Sequence, residues 1–235
     1  TGDEIAQMGS ALSKSIDGLI AKTDFATSIG NGELNTELNM LSDYDSLGKS
    51  LIDMQSSLRK AKEEEEERKK KEEIRRWINE GLAKFGDILR QNNDNLSKLS
   101  DEIIKNLVWY LNASLGGIFV KDPDTETYDL VSAFAYDRKR FLKKSFEPGE
   151  GLIGACAAEK ETIFLAVVPE DYIEIDSGLG GTKPNSILLI PLKIEGEILG
   201  VIELASLKQF TKSEVEFVEK LAESIASTLR SVRIN

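Results

Sequence analysis

The sequence predicts an α+β chain: an extended helical stalk followed by a compact mixed domain. Three observations lead there. Residues 1–113 contain no proline, whereas all five prolines (Pro123, Pro148, Pro169, Pro184 and Pro191) lie beyond. Apolar residues in the first part recur three and four apart, the helical period. Most of the short apolar or alternating runs that read as strands lie in the second part.

Within the stalk, Leu47, Leu51, Met54, Leu58 and Ala61 are spaced 4, 3, 4, 3. That is a heptad seam. No neighbouring element in sequence supplies a core for it, so self-association is expected, with Leu47, Leu51, Met54 and Leu58 in the interface. Four pairs then stand at i,i+4: Glu64–Arg68, Glu65–Lys69, Glu66–Lys70 and Glu67–Lys71. They support a solvated helix by about 0.2–0.5 kcal/mol each. From Lys62 to Glu73 the seam positions are Glu or Arg. Apolar spacing resumes at Ile74, Ile78, Leu82, Phe85 and Leu89, then at Leu96, Leu99, Ile103 and Leu107. Heptads counted from Ala61 reach Arg75 rather than Ile74, a phase break where helix rotation is expected to be absorbed.

Ahead of the seam, Ile29-Gly30-Asn31-Gly32-Glu33-Leu34 ends one helix with glycines. Leu38 and Leu41 punctuate a connector, and Asp45-Ser46-Leu47-Gly48 opens the next helix with an N-cap carboxylate. This layout resembles the HAMP domain, a parallel dimeric four-helix bundle of bacterial receptors. Gly18 stands where the family has a proline, and Ser46 where it has a glutamate. Asp3-Glu4-Ile5-Ala6-Gln7-Met8 is similar to a second copy of the same signature. The resemblance implies the end of one HAMP-like unit over 1–17, a HAMP-like domain over 18–61 and a charged helical connector over 62–99. It also implies a parallel homodimer and a cytoplasmic location, including that of the cytoplasmic part of a membrane-anchored receptor.

The globular part reads as a helix from Asp101 to Asn112, strands at 115–121 and 128–136, and a short helix entered through Gly149-Glu150-Gly151-Leu152-Ile153-Gly154. A strand at 162–167 follows, then a polar, glycine-rich segment from Pro169 to Asn185. Strands at 186–194 and 198–207 turn at Glu195-Gly196-Glu197, and a long amphipathic helix, capped at Thr211 or Ser213, closes the order. With Ile187-Leu-Leu-Ile-Pro191-Leu192, Gly200-Val-Ile-Glu203-Leu204 and Phe210-Thr-x-x-Glu214-x-x-Phe217, this order resembles the GAF domain, placed at 100–235. The resemblance implies an antiparallel sheet with flanking helices that senses a small molecule or dimerises, and no catalysis of its own.

Composition narrows the chemistry. A net charge of −11 argues against a phosphate backbone as partner, so no nucleic acid is expected. No run of about 18 apolar residues is present, so no membrane contact is expected within this segment, and the first twenty residues lack the basic start and apolar block of a signal peptide. The chain has no histidine, which removes histidine-based acid–base catalysis and histidine-held zinc or haem. The lone Cys156 reads as packed and inert, and argues against the reductases built on GAF-like folds, which depend on several cysteines. The glycine triplet at 149–154 follows no buried first strand, so a dinucleotide is not expected. The acids Asp122, Asp124, Glu126 and Asp129 lack the glycine and bidentate acid of a calcium loop. The cyclic-nucleotide signature of GAF relatives is missing, since Asn185 is not followed by lysine.

The reading is therefore a relay fragment without catalytic residue, metal or cofactor. Its partners are a second copy and an output domain or kinase outside this chain. Family resemblance places a ligand pocket between the sheet and the loop from Pro169 to Asn185. The expected lining is Phe134, Tyr136, Phe146, Ile153, Cys156, Phe164, Tyr172 and Ile175, suited to a small, partly apolar organic molecule. The competing expectation is a filled core, with the domain holding a dimer and binding nothing.

Overall fold

Helix α1 runs from Gly2 to Gly30 and α2 from Ser46 to Gln91. The computed structural model describes residues 2–40, 42, 44–92, 94–135, 145–169, 175–177 and 180–234. Its contacts divide the chain into two units, Thr1–Glu73 and Ile74–Asn235.

In the first unit α1 ends as the glycines foretell. The Gly32 N–H donates to the Ile29 carbonyl, and Gly32 adopts φ +84°. The Asp45 carboxylate caps α2 by accepting the Gly48 N–H at 3.0 Å. A Cβ on residue 48 would lie 2.9 Å from that carboxylate, so the spacing of acid and glycine is a packing requirement. Asp45 also receives the buried Lys22 ammonium at 2.8 Å, which pins α1 to the start of α2. Gln55 donates to the Thr36 carbonyl at 2.8 Å and Arg59 to that of Leu34, laying the connector along α2. Phe25 and Ile29 are buried, but Ile5, Met8, Leu12, Ile16 and Leu19 on α1 are exposed.

The charged middle of α2 is helical. Glu65 and Lys69 pair at 3.7 Å, while Arg68 takes Glu65 and Glu72 instead of Glu64. From Ile78 onward the helix changes role. Ile78, Phe85 and Leu89 are buried in the core of the second unit, with Leu82 partly buried against it. The connector expected over 62–99 thus divides in two, its second half belonging to the globular domain. The seam resuming at Ile74 is mostly a face packed on that domain's own helices.

Helix α3 (Leu96–Leu111) starts on Asn95, whose side chain accepts the Lys98 N–H, and ends on Asn112 in the left-handed conformation. Strands β1 (Leu115–Lys121), β2 (Tyr128–Ala135) and β3 (Ser145–Phe146) precede α4 (Gly151–Glu159) and β4 (Ile163–Leu165). The segment expected to be a plain polar connection holds a small hairpin of β5 (Ile175–Ser177) and β6 (Gly180–Thr182), pairing Ile175 with Thr182. Strands β7 (Ser186–Ile194) and β8 (Glu197–Ser206) meet at Glu195-Gly196, both with positive φ, the geometry of a tight hairpin. Helix α5 spans Lys212–Ile234. Its Thr211 hydroxyl accepts the Glu214 N–H while Glu214 accepts the Thr211 N–H, a reciprocal cap.

The antiparallel sheet has the order β3-β2-β1-β8-β7-β4, so the fold is α+β with helices on both faces. On one face α3 and α5 pack over Ile118, Leu188, Ile190, Ile202 and Leu204. There Trp77 stacks on Tyr110 at 5.1 Å, and Phe217 lies 5.1–5.9 Å from Tyr110, Trp77 and Phe85. The other face carries α4.

Candidate functional site

The α4 face is built by strand alternation. Cross-strand pairing places Ala133, Gly117, Glu203, Leu189 and Ile163 in one row across β2, β1, β8, β7 and β4. Paired residues of an antiparallel sheet share a face, and Leu189 belongs to the cluster under α4, so the whole row faces that helix. Ala133 and Gly117 give this floor little side-chain bulk beside Glu203, a partly buried carboxylate in mid-sheet. Glu203 is absent from the expected lining. Its signal was available: it is the one acid within the apolar run from Ile198 to Ala205, where a charge needs a reason.

Helix α4 covers the floor with Ile153, Cys156 and Ala157, joined by Phe119, Tyr128 and Phe146. Phe146 meets Phe119 edge-on at 5.6 Å. Burial raises the Tyr128 phenol above its ordinary value. Burial, then the Glu159 charge, pushes the Cys156 thiol up to about 12, and its Sγ donates to the Glu161 carbonyl at 3.4 Å. A thiol so placed stays protonated and weakly nucleophilic.

The glycine triplet serves this helix. A Cβ on residue 154 would sit 2.2 Å from the Glu147 carbonyl oxygen. The Gly149 N–H donates to the Gly154 carbonyl, so the loop folds onto α4's first turn. The acidic turn is equally local: the Asp122 carboxylate accepts the N–H groups of Asp124 and Thr125, and Lys121 pairs with Glu126 at 2.9 Å.

Of the expected lining, Phe146, Ile153 and Cys156 stand together beneath the sheet. Phe134 does not join them. One extra residue, Val131, is bulged out of β2 between Leu130 and Ser132, and it shifts the alternation. Tyr128 and Leu130 face α4, but Phe134 packs with the α3–α5 side. Phe164 pairs with Leu188 and shares its face, which is again the opposite one, at a sheet edge where it is 41% exposed. Tyr136 and Tyr172 lie outside the described residues, as does the side chain of Ile175. In the seam, Leu47, Met54 and Leu58 are 50, 42 and 44% exposed, and Leu51 is partly so. A separate cleft of about 540 Å³ lies between the connector and α2, lined by Leu34, Thr36, Arg59 and Glu63 among others.

Among the described residues no helix is long and apolar enough to cross a membrane. No curated protein matches the chain. Solved structures do. The GAF domain of a phosphoenolpyruvate-protein phosphotransferase from Coxiella burnetii is 25% identical, with a TM-score of 0.57, and the match covers 67% of this chain and 95% of that one. The A. aeolicus nlh2 GAF domain, in an inactive state, is 18% identical with a TM-score of 0.54 over 67% and 98%. Free methionine-R-sulfoxide reductase from Neisseria meningitidis, in complex with its substrate, is 16% identical with a TM-score of 0.53 over 66% and 90%. That likeness corrects one expectation. The fold is shared with enzymes, so a chain without catalysis does not follow from the family. The family model for the GAF domain matches residues 93–230, more than half of the chain and the whole six-stranded sheet with α3 and α4: the chain belongs to the GAF domain family.

Proposed function

We propose that this chain is a sensory and relay segment of a cytoplasmic signalling system. Its GAF domain takes up a small, partly apolar organic molecule on the α4 face. The preceding helices hold two copies in parallel, in a HAMP-like arrangement, and a change at either end biases an output domain or kinase. The observation that carries the relay reading is the exposed seam. Leu47, Met54 and Leu58 stand at heptad spacing, each more than two-fifths exposed, on a helix whose own unit offers them little cover. A second copy of the same stripe supplies that cover. The Glu203 carboxylate on a floor of small residues supports the ligand reading, since a few placed polar groups in an apolar wall orient small molecules.

The test is sedimentation together with native mass spectrometry of the intact chain. The wild type should run as a dimer, and Leu58→Asp should dissociate it, because a buried charge costs several kcal/mol. A dimer indifferent to Leu58→Asp places the interface elsewhere. Native spectra should show a retained small molecule that is lost in Glu203→Gln and kept in Phe164→Ala, a change on the opposite face. A chain that carries nothing, and whose melting no metabolite shifts, leaves the domain as a dimerisation module. The full cover over Ile153 and Cys156 (1% and 0% exposed) favours that second reading.

A further inference from the structure

Continued at the same period, the seam of α2 does not vanish after Ala61; it changes chemistry. Steps of 4 and 3 from Leu58 and Ala61 lead to Glu65, Arg68, Glu72 and Arg75. The structure links the first three of them. The Arg68 guanidinium donates to both carboxylate oxygens of Glu65 at 2.8–3.0 Å and to Glu72 at 2.9 Å. The three side chains remain 61, 43 and 53% exposed.

We propose that Glu65, Arg68, Glu72 and Arg75 form an ionic continuation of the seam, whose partner is the same ladder on a second, parallel copy in register. The proposal rests on the homodimer reading above and specifies what the interface is made of beyond Leu58. The two ladders are complementary in charge. Acid and base alternate along the seam line, so in register each Arg68 lies between the Glu65 and Glu72 layers of both helices. A guanidinium has five N–H donors and a carboxylate about four acceptor sites, so the intrachain bonds leave capacity for interchain ones. A copy slipped by one seam step, or turned antiparallel, changes which charges meet. An apolar seam of Leu and Met tolerates such slips better than a charged one, which gives the ladder the part of fixing register at a cost in affinity.

Pairwise mixing of charge variants of the full chain reads interchain contact directly. One chain carries Arg68→Glu, making the seam stretch 65–72 wholly acidic. The other carries Glu65→Lys and Glu72→Lys, making it wholly basic. Mixed and analysed by native mass spectrometry, they should form heterodimers about tenfold or more above the statistical share. The preference should fade between about 0.1 M and about 1 M salt. Equivalent reversals at Glu67 and Lys70, off the seam line, should mix statistically. Statistical mixing of the seam variants, with the wild-type dimer intact and still broken by Leu58→Asp, overturns the ladder and spares the homodimer. Equal preference from the off-seam pair overturns it as well. A monomeric wild type overturns both. The triple replacement of Glu65, Arg68 and Glu72 by leucine gives an independent check. It should tighten the dimer at least about tenfold and remove its salt dependence, and unchanged affinity contradicts the ladder.

Discussion

Replacing Gly81 by alanine sets two effects against each other. Alanine favours a helix interior by about 1 kcal/mol. Its Cβ, however, would lie 2.5 Å from the Phe217 ring and 2.8 Å from that of Tyr110. Neither ring can yield freely, since Tyr110 stacks on Trp77 and donates to the Trp77 carbonyl at 2.7 Å. Overpacking of this kind costs about 1–3 kcal/mol, so a net loss is expected in chemical denaturation; a gain would mean the cluster is soft. At Cys156 the thiol titrates near 9.0 when unfolded and near 12 when folded. Across that window the unfolded chain has released a proton that the folded chain retains, so stability falls as pH rises, by at most about 1.4 kcal/mol per pH unit. The wild type should lose more stability over this range than Cys156→Ala, and thiol reagents should act only on unfolded protein. Residues of this kind were legible as far as packing goes: an alanine-flanked cysteine in a chain without histidine, with Lys160 one turn away as its nearest cation in sequence, reads as inert. Phe134 and Phe164 were not. Val131 is an ordinary strand residue, and nothing in its chemistry announces a bulge, while Ile163-Phe164-Leu165 is apolar throughout and so carries no phase.

Helix α2 is one uninterrupted element from Ser46 to Gln91, and the phase break between Ala61 and Ile74 does not interrupt it. A one-residue offset turns a stripe by about 100° around a helix, so the two stripes address different surfaces. The first is exposed at Leu47, Met54 and Leu58, and the second is buried at Ile78, Phe85 and Leu89. Between them the side chains are charged and exposed, and exposed pairs hold a helix only weakly. Amide exchange should therefore be faster across 62–73 than across 47–58 or 100–111, whereas uniform protection would mean the middle is as well covered as its ends. Several helix ends could be read from local cap chemistry, as at Asp45, at Thr211 with Glu214 and at the glycines after Ile29, but α3 begins at Leu96 on Asn95 and not at the expected Asp101. The β5–β6 hairpin escaped notice because three-residue strands, Ile-Asp-Ser and Gly-Gly-Thr, are too short to show alternation and carry one β-branched residue each.

Residues 74–235 should fold without what precedes them. Their two buried clusters are assembled from this unit alone, and α2 contributes Ile78, Phe85 and Leu89 to the larger one. A fragment beginning at Ile74 should melt near the domain transition of the full chain. One beginning at Ser100 should melt far lower or aggregate, because it loses side chains that are 0–5% exposed, each worth about 1.5–3 kcal/mol of burial. Equal melting of the two fragments would put the domain boundary at residue 100, where the sequence pattern alone sets it. Heptad spacing cannot tell a stripe meant for another copy from one meant for the chain's own core, and here α2 holds both. The order of the longer strands and helices, by contrast, was readable, because hairpin turns, caps and apolar runs each specify a local geometry that the sheet then accepts, whereas the two- and three-residue strands β3, β5 and β6 were not.

The bulge in β2 has a consequence for length variation. Since Val131 is surplus to the pairing, its removal leaves Leu130 opposite Phe119 and Ser132 opposite Ile118, the partners they already have. Ser132 keeps its 2.6 Å hydrogen bond to Asp101, and Phe134 keeps its side of the sheet. Removing Ala133 instead drags Phe134 into the place opposite Gly117, on the floor beside Glu203. At this strand a deletion keeps or breaks the register according to which of two nearby small or branched residues it takes, and taking Val131 costs only that side chain's partial packing on the α3–α5 core.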